Sequence, residues 1–218
     1  MGRMVTIEDI RRALRAPLPG LEAQRRMGTR PRISAEELER EHPPREGAVL
    51  ILFYPWDGQL YVPLTRRTQR VADHKGEISL TGGARETGDS SFWDTALREA
   101  SEELGIDPRS VERLAALSPL YIPSSNFDIH PFVGYAPSPP AFQPDANEVA
   151  ELIKMPVQAL LDPAAKVEET WIRHGRIILV PFYRYQQHVI WGATAMVLSE
   201  LEAMLAADLE GHEGVLEA

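Results

Sequence analysis

Three carboxylates, Glu99, Glu102 and Glu103, stand at i, i+3 and i+4 within residues 82–106, GGARETGDSSFWDTALREASEELGI. The second half of this stretch has helical spacing. Trp93, Leu97, Ala100 and Leu104 recur on one narrow apolar face, Ser91 opens the run, and Gly105 followed by Pro108 closes it. The expected helix, residues 91–104, turns its apolar stripe to the core and carries the three carboxylates on another face. A charge run is ordinarily a solvated face, but two features count against that here. Like charges at these offsets cost roughly 0.2–0.5 kcal/mol per pair, and they occupy the last turns of the helix, where the macrodipole disfavours anions. Stability alone would favour Lys or Arg at those positions. A divalent cation with hard oxygen ligands offsets the repulsion directly. Gly82 and Gly83, just ahead of the helix, supply backbone able to approach a metal or a phosphate closely.

The elements that must hold this segment can be read on either side of it. Residues 6–16 have the pattern of a short amphipathic helix capped by Thr6, with Ile7, Ile10 and Leu14 at helical spacing. A Pro-, Gly- and Arg-rich loop follows. Ser34 with Glu37 forms a capping-box pattern for a second short helix, ended by Pro43 and Pro44. Residues 1–43 are therefore expected to be a helical arm, packed on the domain or on a second copy in a homodimer. The main domain is expected over residues 44–207. It begins with a hairpin of residues 48–53 and 60–64 turning at Trp56-Asp57-Gly58-Gln59. Residues 114–122, 128–135 and 148–155 read as further strands, and residues 167–174 with 176–182 as a second hairpin. A last helix over residues 193–207 precedes a frayed acidic tail, 208–218. Strands interrupted by one central helix and followed by another suggest an α/β class, a mixed sandwich.

Bulk properties narrow the chemistry. The chain has 218 residues, 44% apolar and 25% charged, with a formal charge of −9, so one well-buried core is expected and long-range attraction to nucleic acid is not. An acidic protein that binds polyphosphate needs a metal or a local cationic group, and Arg66, Arg67, Arg70 and Lys75 are the candidates. With no cysteine, disulfides, thiolate zinc sites and cysteine nucleophiles are excluded. No signal-type segment or run approaching 18 apolar residues is present, so no membrane association and a cytoplasmic location are expected. His74 and His130 have no cysteine and no second histidine nearby in sequence, which favours packed or hydrogen-bonded rings over metal ligands. Trp191 could stack on a base, although an aromatic residue opening a helix is more often core.

Arg98-Glu99-Ala100-Ser101-Glu102-Glu103-Leu104-Gly105-Ile106 resembles the core of the Nudix box, R-E-U-x-E-E-x-G-U, with Ala100 at a position usually held by a bulky aliphatic residue. The first half departs further. Ala84 and Ser90 fall where the general box has Gly and Glu, the glycines are displaced to 82–83, and Asp89 is the stand-in for the missing Glu. The lengthened loop resembles the coenzyme A pyrophosphatase-like branch. So do Leu64-Thr65-Arg66-Arg67-Thr68, His74-Lys75-Gly76-Glu77, Glu86 and Asp89 of the loop, Tyr121-Ile122-Pro123-Ser124-Ser125-Asn126-Phe127, Asn147-Glu148-Val149-Ala150-Glu151 and Ile190-Trp191-Gly192-Ala193-Thr194-Ala195. Glu77 replaces the usual Gln, Leu80-Thr81 replaces Phe-Pro, and Ala72 stands where an Arg is expected, with Arg70 two residues earlier.

The resemblance implies a Nudix-type α/β/α sandwich with a mixed β-sheet and an N-terminal helical arm. It implies a hydrolase that cleaves a nucleotide-type small-molecule substrate by water attack on one phosphorus, with Mg²⁺ or Mn²⁺ as cofactor. Glu99, Glu102 and Glu103, helped by a carbonyl near Gly83, would hold the metal, and the ions would polarise the pyrophosphate and acidify a water. Glu102 or Glu148 would be the base, with the sequence leaning to Glu102. Arg66, Arg67, Arg70 and Lys75 would bind substrate phosphates. Arg98 would pair with a neighbouring carboxylate and, like Asp89 and Glu86, support the site from outside the metal ligands. The expected activity is cleavage of coenzyme A or its derivatives to 3′,5′-ADP and 4′-phosphopantetheine. The alternatives are hydrolysis of other nucleoside diphosphate derivatives, such as ADP-ribose or dinucleotides, and a nucleotide-sensing module without turnover.

Overall fold

The computed structural model describes residues 3–31, 43–68, 76–173 and 175–216. The helix expected from Ser34, as well as Arg70, Ala72, His74 and Lys75, lies outside them. In chain order the elements are α1 (Ile7–Ala13), α2 (Gly20–Arg25), β1 (Arg45–Trp56), β2 (Gln59–Arg67), β3 (Ile78–Ser79), β4 (Thr81–Ala84), α3 (Phe92–Leu104), β5 (Glu112–Ala116), β6 (Leu120–Ile122), β7 (Phe127–Tyr135), β8 (Val149–Pro156), α4 (Val157–Leu161), β9 (Lys166–Arg173), β10 (Arg176–Tyr185), β11 (His188–Trp191) and α5 (Gly192–Leu216).

The long apolar run around Phe53 forms the central strand because both of its faces are buried. Ala48, Leu50, Leu52 and Tyr54 of β1 pack with Ala96, Ala100 and Leu104 of α3. Ile51 and Phe53 point the other way, into the core that contains Leu198, Leu201 and Leu205 of α5. A strand feeding two cores shows a continuous apolar run rather than alternation. Among the described residues, eight strands form one mixed sheet with the path β3-β2-β1-β7-β5, and β4, β6 and β8 pair with β1, β7 and β2. The β1–β7 pairing is parallel and the others in this sheet are antiparallel. β9, β10 and β11 make a second, antiparallel sheet. The layers are helix, sheet, helix, with α3 on one face and α5 on the other.

The stretch expected as one strand over 114–122 is two strands, β5 and β6. Pro119 lies between them and has no amide to donate to a ladder. α1 forms as expected, closed by a capping box between Thr6 and Asp9. Asp9, 1% exposed in its side chain, pairs with Arg3 and Arg12, and Arg12 continues to Asp208 of α5. α2 falls in the stretch expected as loop. Its start has no side-chain cap, and it is held instead by Gln24, whose amide donates to Glu200 Oε2 and to the Ser118 carbonyl. Both arm helices thus pack on α5 of the same chain. α5 runs on to Leu216, into the acidic stretch expected to fray beyond residue 207. No helix among the described residues is long and apolar enough to cross a membrane.

Candidate active site

Two devices fix α3 over the sheet. At its N-terminus Ser91 Oγ accepts from the Asp94 amide. At its C-terminus Gly105 adopts φ 68°, the left-handed turn that glycine tolerates best. The loop following β7 folds back over this end, and the amides of Gln143 and Asp145 donate to the carbonyls of Leu104 and Glu103. Those bonds satisfy acceptors that a helix end otherwise leaves open. The same loop delivers Glu148, whose carbonyl accepts from the Thr68 amide beyond β2.

The glycines ahead of α3 are required by close approach. A Cβ on Gly83 would lie 2.4 Å from Glu99 Oε1, and one on Gly82 would lie 2.3 Å from the Ala48 carbonyl oxygen. Gly47 of β1 matters equally, since its Cβ would fall 2.3 Å from the Gly83 carbonyl oxygen. Sequence reading did not single out Gly47. Its only signal is a glycine at the opening of a strand.

The three helix carboxylates have different surroundings. Glu103 is buried, with its side chain 2% exposed and Oε1 3.7 Å from Arg67 Nη1. Its Oε2, the Thr81 hydroxyl and Arg67 Nε are all buried without a hydrogen-bond partner. Burial pushes the Glu103 carboxyl up to about 7; the nearby Thr81 hydroxyl and Arg67 oppose the rise, and Glu99 and Glu148 add to it. Glu99 sits against Gly83, 15% exposed, with Oε1 3.0 Å from Arg98 Nη1. Burial raises its pKa, Arg98 lowers it, and Glu102 and Glu148 raise it. Glu102 is 57% exposed and accepts from Arg98 Nη1 at 2.8 Å. The carboxylate pair in the buried part of the site is therefore Glu99 and Glu103, with Glu148 acting on both, whereas Glu102 is turned onto Arg98 at the rim.

Arg98 organises this side of the site. It donates to Asp89 through Nε at 3.1 Å and Nη2 at 3.2 Å, and to the Ala84 carbonyl at 2.9 Å. Glu86 stands 3.9 Å away. Asp89 also accepts from the Glu86 amide and the Thr95 hydroxyl. The Arg98 guanidinium is the largest influence holding its carboxyl down, at about 2. The three residues named from sequence for this network, Arg98, Asp89 and Glu86, are brought together, and Glu102, expected to hold the metal, joins them.

The expected phosphate-binding group is divided. Arg67 faces Glu103, while Arg66 pairs with Glu151 Oε2 at 2.7 Å. The pairing of β2 with β8 shifts register between these two arginines. Trp191 is half-buried. The His130 ring stacks on Phe92 with centroids 3.7 Å apart.

Among the described residues no three carboxylate or imidazole groups are already gathered around one point that a cation could occupy. The surroundings nevertheless fit a hard divalent cation. Glu103 Oε2 is a buried acceptor without a donor, Glu99 lies in a space only a glycine leaves open, and the charge of Glu148 raises the pKa of both Glu99 and Glu103.

The fold has counterparts among solved structures. A Nudix hydrolase from M. Smegmatis, RenU, superposes with a TM-score of 0.55 over 79% of this chain and 92% of its own, at 18% identity. A MutT/nudix family protein from Enterococcus faecalis gives 0.51 over 85% and 74%, at 17% identity. Residues 44–175 match the NUDIX domain model. The uncharacterized Nudix hydrolase NudL of Pectobacterium atrosepticum is 36% identical over 171 residues, 76% of this chain and 85% of that protein. Nudix hydrolase 22, chloroplastic, of Arabidopsis thaliana is 38% identical over 162 residues, 71% of this chain; the chain spans 53% of that relative's length. The chain belongs to the Nudix hydrolase family.

Proposed function

We propose that this protein is a divalent-metal-dependent pyrophosphohydrolase of nucleoside diphosphate derivatives, acting on coenzyme A or its derivatives to give 3′,5′-ADP and 4′-phosphopantetheine. The observation that carries the hydrolase reading is the buried, partnerless Glu103 Oε2 beside Glu99 and the glycine loop. Glu99 and Glu103, with the Gly83 carbonyl and Glu102, would hold Mg²⁺ or Mn²⁺. When bound, such an ion supplies charge neutralisation on the pyrophosphate and acidifies water. Arg67, 3.7 Å from Glu103, would take the substrate phosphate through charge-assisted hydrogen bonds. Arg98, locked by Asp89 and Ala84, would keep Glu99 and Glu102 in place.

For the base, Glu148 is favoured over Glu102. Glu148 is exposed just ahead of β8, its carbonyl meeting the Thr68 amide beyond β2, whereas Glu102 is hydrogen-bonded to Arg98. A hydrolase of ADP-ribose or dinucleotides is the second reading, because Leu80-Thr81 builds a different wall at the glycine loop, with both residues buried. A turnover panel of coenzyme A, dephospho-coenzyme A, ADP-ribose and NADH with Mg²⁺ and Mn²⁺ tests both. The pantetheine-bearing diphosphates are expected to have the higher kcat/KM. Preference for ADP-ribose would replace the first reading with the second, and no turnover of any compound would overturn both.

A further inference from the structure

A buried hydroxyl without a partner requires an explanation, because an unsatisfied donor in a protein interior costs more than a typical hydrogen bond contributes. Thr81 of β4 is such a residue. It is 0% exposed, and its Oγ1 has no hydrogen-bond partner. Valine has nearly the same shape, suits a strand equally well and would remove the cost. Thr81 also stands where the coenzyme A pyrophosphatase-like pattern has Pro, which carries no hydroxyl. Shape therefore does not account for the hydroxyl.

The strand register shows where it points. Thr81 lies opposite Leu50 of β1, and Gly83 lies opposite Ala48. Leu50 and Ala48 pack with α3, and directly paired residues share a face of the sheet, so Thr81 and Gly83 face α3 as well. Leu80, one residue earlier, packs into the other core. Thr81 and Gly83 are about 6.7 Å apart along the strand. Glu99 and Glu103 are one turn apart on α3, about 6 Å along its axis. The strand repeat thus matches the helix repeat. Gly83 meets Glu99, where a Cβ would come within 2.4 Å of Oε1, and Thr81 meets Glu103, whose pKa its hydroxyl lowers.

Two donors therefore border the Glu103 carboxyl, Thr81 and Arg67. Arg67 Nη1 is 3.7 Å from Oε1, beyond hydrogen-bond length, and serves the substrate phosphate in the reading given above. Among the described residues the Thr81 hydroxyl has no acceptor elsewhere, and Glu103 Oε2 has no donor. We propose that Thr81 is a positioning residue, whose hydroxyl donates to the ionised Glu103 carboxylate when that group ligates a divalent cation and so sets its orientation. This rests on the metal-dependent reading under Proposed function. β4 then serves both buried carboxylates, leaving a gap for Glu99 and supplying a donor to Glu103.

Thr81→Val and Thr81→Ser separate this role from packing, with Mn²⁺ affinity by isothermal titration calorimetry and Tm in EDTA as the two readouts. Thr81→Val keeps the shape and removes the unsatisfied hydroxyl, so its Tm should equal or exceed that of the wild type while Mn²⁺ binding weakens about tenfold or more. Thr81→Ser keeps the hydroxyl and loses a buried methyl, so its Tm should fall while Mn²⁺ affinity stays within about threefold of the wild type. Mn²⁺ binding as tight in Thr81→Val as in the wild type, or as weak in Thr81→Ser as in Thr81→Val, would overturn the positioning role and leave the metal reading intact. A Thr81→Val protein that is less stable than the wild type in EDTA, or that does not fold, would give the hydroxyl a purely structural role and overturn it equally. Glu103→Gln is the control for the reading beneath. Mn²⁺ binding as tight in that variant as in the wild type, or none in the wild type, would overturn the metal assignment of Glu103 and this inference with it.

Discussion

Glu103→Gln should stabilise the metal-free protein at neutral and alkaline pH while abolishing turnover. The folded carboxyl has its pKa raised from 4.5 to about 7. Below the lower value it is protonated in the folded and unfolded chains alike and adds no pH dependence. Between the two values the unfolded chain loses its proton while the fold retains it, so stability falls as pH rises and levels off above about 7. At about 1.4 kcal/mol per pKa step, the full loss is about 3 kcal/mol, undiscounted because the side chain is only 2% exposed. The amide of the variant carries no such dependence, although it must still be desolvated. The expected gain at pH 8 is therefore roughly 2–3 kcal/mol, or roughly 4–12 °C in Tm for a chain of this size, shrinking to near zero below pH 5. Scanning calorimetry of both proteins in EDTA from pH 4.5 to 8.5 gives the two curves. A variant less stable than wild type at pH 8, or a gap independent of pH, would refute the assignment of Glu103 as a buried anion awaiting a cation. Adding Mg²⁺ or Mn²⁺ should recover stability in the wild type and much less in the variant.

Gly83→Ala should displace the Glu99 carboxylate, since the new Cβ would lie 2.4 Å from Oε1. Turnover should fall at least roughly a hundredfold for a stability cost of about 1–3 kcal/mol, checked by steady-state kinetics beside urea denaturation. Arg67→Ala should lower kcat/KM at least roughly tenfold while leaving Mn²⁺ affinity within about threefold, because losing one charge-assisted donor costs on the order of 1.5–3 kcal/mol. An unchanged kcat/KM would mean that the phosphates are held elsewhere. Asp9→Asn should weaken the α1 cap by about 1 kcal/mol at pH 7. The Asp9 carboxyl is held down at about 2 by the Thr6 and Arg12 hydrogen bonds and Arg3, against the effect of burial. Its stabilising contribution is present above 3.8 and lost as pH falls through 2, so the gap to wild type in urea midpoint should close over that interval.

Local signals suffice for the elements immediately around the site. The run from Ser91 to Gly105 is legible because its cap, apolar stripe and left-handed terminus all belong to one helix. The hairpin of β1 and β2 is legible because Asp57 and Gly58 both adopt positive φ there. α2, α4 and β11 were not legible, for reasons that differ. α2 is fixed by a buried Gln24–Glu200 contact with the far end of the chain. α4 is five residues with no side-chain cap. β11 begins after a turn at Gln186, which takes φ 52° without being Gly, Asn or Asp. None of these has a periodic or turn signature that a sequence window could detect.

The site divides along the same line. Spacing on one helix places Glu99, Glu102 and Glu103 near one another, but it does not decide which of them is buried. That is decided by contacts distant in sequence. β4 lies against β1 through Gly47 and Gly83, where the missing Cβ of Gly83 leaves room for Glu99, and the loop ending at Glu148 closes the helix end above Glu103. Glu102, one residue earlier than Glu103, points past that closure and pairs with Arg98 at the rim. The ordering of the carboxylates from buried to exposed is thus a tertiary property of a local motif. A base role follows the same logic. Glu148 comes from the loop that completes the enclosure and acts electrostatically on both buried carboxylates, so Glu148→Gln should cut kcat more than Glu102→Gln while leaving KM within about twofold. Equal losses in the two variants would return the base to Glu102.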